Sequence, residues 1–119
     1  MSIEIIPTVV PNSIEDIVHA HERFGSFSSS LHIDAADGVF ASNTTWMPAP
    51  DEKLPNADFV LYEAHLMVEN PLLLGVAFAR AGARRIVGHV ESFSHAESAQ
   101  EAFAMWKGAG AQEVGVAIL

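Results

Sequence analysis

Three short segments of this 119-residue sequence combine imidazoles with carboxylates at a spacing of two: His32 with Asp34, Glu63 with His65 and Met67, and His89 with Glu91. Residues two apart on an extended chain share a face. If each segment is a strand, its members therefore point the same way. An imidazole, a carboxylate and a second imidazole brought together supply nitrogen and oxygen donors for a divalent cation, with positions left open for substrate oxygens. The same residues have a plainer reading. Each histidine is then a hydrogen-bonded residue of a strand rim, and Asp34 and Asp37 belong to a turn at Asp37–Gly38. Glu63 turns to solvent if the third strand slips by one residue. Spacing alone leaves both readings open.

The elements that would position these groups are legible as apolar runs between turn signals. Residues 3–10 form a β-branched run ended by Pro11 and Asn12, and residues 31–36, 59–68, 85–90 and 113–119 are four further strand candidates. Between them lie helices. Ser13 is the expected cap of a helix closed by Gly25. Asn70–Pro71 opens another that runs to Gly82, since proline suits the first helical turn. Residues 96–107 form the last, ending at Gly108 and Gly110, with His95 at its start. Between residues 38 and 55, Pro48, Pro50 and Pro55 leave room for only a short helix. The pattern is βα repeated four times, then a strand. Near-continuous apolar strands indicate a parallel sheet covered on both faces. In a βα barrel the inward groups at the C-terminal strand ends form the site, which would bring His32, Asp34, His65 and His89 together. His19 and His21, two apart on a helix, read as surface residues, and Trp46 and Trp106 as packing residues.

Composition narrows the function classes. The net charge of −9 and the lack of any basic cluster beyond Arg84–Arg85 argue against nucleic-acid and anionic-membrane partners. A phosphorylated substrate stays compatible, because helix N-termini bind phosphate through backbone N–H groups. There is no cysteine, hence no disulfide or thiolate chemistry. With neither a leader-like start nor a membrane-length apolar run, the expected location is the cytoplasm.

The order of motifs adds a resemblance. Pro7-Thr8-Val9-Val10, His32-Ile33-Asp34-Ala35-Ala36-Asp37-Gly38 and His65-Leu66-Met67-Val68-Glu69-Asn70-Pro71 resemble signature segments of the ribulose-phosphate 3-epimerase family. Residues 77–83, His89-Val90-Glu91 and Gly115-Val116-Ala117 continue the match in order. The resemblance implies an α/β fold that is a partial (β/α)8 TIM barrel of five parallel strands with intervening helices, residues 1–119 being its N-terminal part. It implies an isomerase that interconverts D-ribulose 5-phosphate and D-xylulose 5-phosphate by metal-assisted proton transfer at C3. By the same resemblance His32, Asp34 and His65 match ligands of a divalent ion (Zn, Fe, Mn or Co), and Asp34 also matches one acid/base. Thr8, His65 and Met67 match residues that contact the substrate. A metal acidifies the proton beside the carbonyl, and a carboxylate can then remove it.

The sequence departs from the family at identifiable points. Ala36 stands where the family has methionine, which predicts a gap beside the reacting carbon. The second acid/base aspartate, also the fourth ligand, and the phosphate-binding glycine loops lie on later strands and have no counterpart here. Weak or absent activity of this chain alone is the expectation. Two alternatives are an inactive epimerase-like scaffold or binding module, and another phosphate-sugar barrel enzyme such as a hexulose-phosphate synthase. The latter would need an Asp-x-Lys-x-x-Asp segment, and no lysine stands in residues 32–37. Open sheet edges predict a homo-oligomer.

Overall fold

A computed structural model describes residues 2–119. Five parallel strands lie side by side in chain order: β1 (Thr8–Val9), β2 (Ser30–Ala36), β3 (Leu61–Met67), β4 (Arg85–His89) and β5 (Glu113–Ala117). Three helices connect them, α1 (Ile14–Phe24), α2 (Pro71–Ala81) and α3 (Ala96–Ala109). This is an α/β fold consistent with part of a TIM barrel, as the sequence implies.

Burial alternates along the sheet. Leu31, Ile33, Ala35, Tyr62, Ala64, Leu66 and Ile86 are buried within the core that the helices and connections cover, while His32, Asp34, Glu63, His65 and Met67 are only half-buried on the opposite face. Register aligns these faces across strands: Thr8 with His32, His32 with Glu63, Asp34 with His65, and Ala36 with Met67. The third strand therefore has the register that keeps Glu63 beside His32, not turned to solvent.

Trp106 on α3 is fully buried, and its Nε1 donates to the Leu72 carbonyl on α2 at 2.9 Å. Gly75 lets α2 approach the indole: a Cβ there would stand 2.1 Å from Nε1. At the end of α2, Gly82 takes φ +115°, and the N–H groups of Gly82 and Ala83 close on the Ala79 and Phe78 carbonyls. That left-handed ending is the one glycine supplies without steric cost.

Several local expectations need correction. The first strand is two residues long, not residues 3–10. Its register sets Ile6 opposite Ser30, where β2 begins, so residues 3–5 have no strand beside them, and Pro7 has no N–H to give. Ser13 occupies the N-cap position of α1 without a side-chain bond; the Asn12 N–H instead donates to Asp16 Oδ2 at 2.7 Å. Residues 38–60 contain no helix, so the second repeat has its strand, β2, but not its helix. The prolines break the segment into turns, while Leu54 is buried and Trp46 meets Phe78 edge-on at 6.0 Å, filling core space a helix would take. Glu91 falls in a 3-10 turn, Val90–Ser92, just past β4. Ala36 is fully buried, so it leaves no open gap: Thr45 bonds its N–H and its carbonyl, laying the loop against this strand end. His95 does start α3, accepting from the Ser98 N–H.

Candidate metal and proton-transfer site

Period-two alternation on β2 and β3 delivers three donors to one point. Asp34 Oδ1 lies 3.1 Å from His32 Nε2 and 3.0 Å from His65 Nδ1. Ligand atoms of His32, Asp34 and His65 all fall within 4.8 Å of one another. The far nitrogen of each ring is also held. His32 Nδ1 meets Glu63 Oε1 at 2.5 Å, and His65 Nε2 meets His89 Nε2 at 2.7 Å. His89 is 5% exposed, with the Phe40 ring 4.8 Å away. Its Nδ1 is the one buried side-chain polar atom among the described residues that lacks a hydrogen bond; Glu91 Oε2 lies 3.4 Å off without bonding geometry.

Hydrogen placement shows that these residues fit a cation. His32 Nδ1 faces the Glu63 carboxylate, an acceptor, and so must carry the hydrogen. A neutral His32 then turns a lone pair from Nε2 toward Asp34 Oδ1, also an acceptor. Two lone pairs at 3.1 Å require a proton or a cation between them. Two imidazole nitrogens and a carboxylate oxygen suit zinc and other divalent first-row ions. His32, Asp34 and His65 thus form a possible metal site.

The surrounding charges are organised by specific bonds. The Arg85 guanidinium, bonded by Glu113 at 3.0 Å, is held above its ordinary range despite partial burial, and it sits 3.8 Å from Glu63 Oε2. Partial desolvation raises the Asp37 carboxyl, but the amides of Glu69, Phe40 and Val39 outweigh it together and leave the group below its usual value. These bonds, all 2.8–2.9 Å, tie the loop after β2 to the turn after β3. Glu91 is lowered chiefly by the Leu119 amide, 2.7 Å away.

Of the other residues singled out in the sequence, Met67 is half-buried one alternation beyond His65 on the same face, and Thr8 is exposed on the edge strand opposite His32. Alternation placed Glu63 and His89 on this face but not their ring partners. Phe40, a loop aromatic, carries no periodic signal that would place it against His89.

A parallel βα sheet with imidazoles and carboxylates near the C-terminal ends of its strands is consistent with part of a (β/α)8 barrel, whose sites form at that end. The sequence model of the ribulose-phosphate 3 epimerase family matches residues 5–118, and the chain belongs to that family. Curated relatives carry the same name. The chain is 35% identical to ribulose-phosphate 3-epimerase of Chlamydia pneumoniae over 55% of its length. It is 34% identical to that of Bacillus subtilis (strain 168) over 71%, and 32% identical to that of Helicobacter pylori (strain ATCC 700392 / 26695) over 67%. These matches span 28%, 36% and 38% of the respective relatives. Among the described residues, no helix is long and apolar enough to cross a membrane.

Proposed function

We propose that this chain carries the metal-holding and proton-transferring part of a ribulose-phosphate 3-epimerase site, acting at C3 of D-ribulose 5-phosphate and D-xylulose 5-phosphate. The convergence of two imidazoles on one oxygen of Asp34 carries the reading. In it His32, Asp34 and His65 hold a divalent ion: Zn, Fe, Mn or Co. Such an ion stabilises the negative charge that develops on substrate oxygens as the C3 proton leaves. Asp34 is the acid/base. Its side-chain hydrogen bonds all fall on Oδ1, which leaves Oδ2 to take the proton from C3 and return it. Thr8 offers a hydroxyl to a substrate oxygen, His65 orients the sugar, and Met67 supplies an apolar wall that keeps water from the reacting carbon. Inversion requires a second proton carrier on the opposite face of the substrate. The aspartate that the resemblance calls for has no counterpart in these 119 residues, so the expected behaviour of the chain by itself is proton exchange without rapid turnover.

The test is D-ribulose 5-phosphate incubated with the chain and Zn²⁺, Mn²⁺ or Co²⁺ in deuterated water, with C3 deuteration followed by NMR. Slow exchange that disappears in Asp34→Asn is the expected result. Exchange at equal rates in both proteins would refute the role of Asp34. Calorimetric metal affinity unchanged in a His32→Ala, His65→Ala double variant would refute the ligand set.

A further inference from the structure

A neutral imidazole binds a metal through whichever nitrogen lacks hydrogen, and the partner of the other nitrogen decides which one that is. Here the two rings are held in opposite senses. His32 turns Nδ1 to Glu63 and Nε2 to Asp34, whereas His65 turns Nε2 to His89 and Nδ1 to Asp34.

The His65–His89 pair has two possible hydrogen placements. In one, His89 Nε2–H donates to His65, and the bare His89 Nδ1 then lies 3.4 Å from Glu91 Oε2, two acceptors with no hydrogen between them. In the other, His65 Nε2–H donates to His89, and the hydrogen on His89 Nδ1 lies near that carboxylate, an electrostatically favourable contact although it is not aligned as a hydrogen bond. The second is the favourable one, because His89 is buried and Nδ1 has no other partner. It also leaves the His65 Nδ1 lone pair directed at the same point as His32 Nε2. Phe40 packs on His89, and Arg85 lies beside Glu63, so each supporting group is itself restrained.

We propose that Glu63 and His89 are positioning residues, which fix the hydrogens of His32 and His65 so that a divalent ion is bound through Nε2 of the first ring and Nδ1 of the second. This rests on the metal-site reading above. Neither residue touches the ion. Each sets the orientation and basicity of a ring that does, and loss of such a partner typically lowers metal affinity about 10–100-fold.

The experiment is Zn²⁺ calorimetry on the 119-residue chain, with Co²⁺ visible absorption as a spectroscopic check of the ligand field. Glu63→Leu and His89→Leu remove the hydrogen-bond acceptors while keeping bulk, and each should weaken binding about 10–100-fold and alter the Co²⁺ spectrum. Glu63→Gln and His89→Gln retain an acceptor and should recover most of the affinity; a purely packing role would favour leucine instead. Thermal unfolding of the metal-free variants identifies any that fail to fold, and the glutamine pair then decides. Wild-type affinity and spectrum in all four variants would overturn the positioning role while leaving the metal site standing. Failure of the wild-type chain to bind either ion would overturn the metal site, and this inference with it.

Discussion

Replacing Gly75 with alanine sets two opposed effects against each other, and their magnitudes decide the sign. In the middle of a helix, glycine to alanine gains roughly 1 kcal/mol from backbone entropy and helix propensity. At Gly75, however, the new methyl would stand 2.1 Å from Trp106 Nε1 and 2.2 Å from Cε2, more than an ångström inside ordinary contact. The indole has nowhere to withdraw. Phe93 and Phe103 lie 6.3 and 5.6 Å from it between ring centroids, and its far edge already rests over Gly88, where a Cβ would be only 3.0 Å away. Overpacking of this kind costs about 1–3 kcal/mol. A shifted indole also leaves Leu72, and a buried donor without an acceptor costs about 1–3 kcal/mol more. The net expectation is a loss of roughly 1–5 kcal/mol, read from urea unfolding by circular dichroism and tryptophan fluorescence. Gly108→Ala on α3 is the control. No atom lies within 4 Å of its Cβ position, so it should gain about 0.5–1 kcal/mol. In a Trp106→Leu background, Gly75→Ala should turn neutral or stabilising. Equal or greater stability of Gly75→Ala relative to Gly108→Ala would refute the packing argument.

Three further expectations follow from the same structure. Tyr62, the only tyrosine, is pushed by burial up to about 12 and donates to the Pro55 carbonyl, so the native phenol keeps its proton while the unfolded one loses it near 10. Stability should therefore be intact below pH 10 and fall between about 10 and 12, tracked by tyrosinate absorbance, and Tyr62→Phe should remove that alkaline dependence at a cost of about 1 kcal/mol. Asp37→Ala should cost about 1 kcal/mol, discounted for exposure, and speed hydrogen exchange at the Val39, Phe40 and Glu69 amides. Because the folded-state value of Asp37 is lowered, its contribution is present above the ordinary value of 3.8 and is lost as pH falls below it, a loss the variant should not show. The 119-residue chain should self-associate at micromolar concentration by light scattering. Ile3, Ile5, Ile118 and Leu119 are 70–90% exposed beside open edge strands, and each uncovered side chain forfeits on the order of 1.5–3 kcal/mol; a cooperatively unfolding monomer would contradict this.

Alternation in the sequence foretold which side chains share the open face, since β2 and β3 obey the period of two without interruption. It could not foretell hydrogen-bond partners. That Glu63 engages His32 and that His89 engages His65 depends on register between strands, a property of pairs of segments. The β-branched run at residues 3–10 yields only the two-residue β1 for the same reason: propensity describes a residue, but a strand exists only where a neighbour supplies the ladder. Between β2 and β3 the apolar residues imply a helix-bearing repeat, but the prolines exclude a helix locally, and Trp46 and Leu54 supply the apolar cover from turns instead. Phe40 reaches His89 through a loop whose shape is set by three amide bonds to Asp37, of which only the Asp37–Gly38 turn shows in the sequence.

Strand order and chain order coincide in this sheet, and that has a kinetic meaning. Every strand meets the one made just before it, so each new pairing closes only a short loop, and contacts with the largest entropic cost never have to form first. A chain emerging residue by residue can add strands at a single growing edge, with β3 laid on β2 before β4 exists. His32, Asp34 and His65 all belong to that β2–β3 pair. The donor cluster can thus come together early in synthesis, and an ion captured at that moment would hold two strands in register while the remainder of the sheet is still being made.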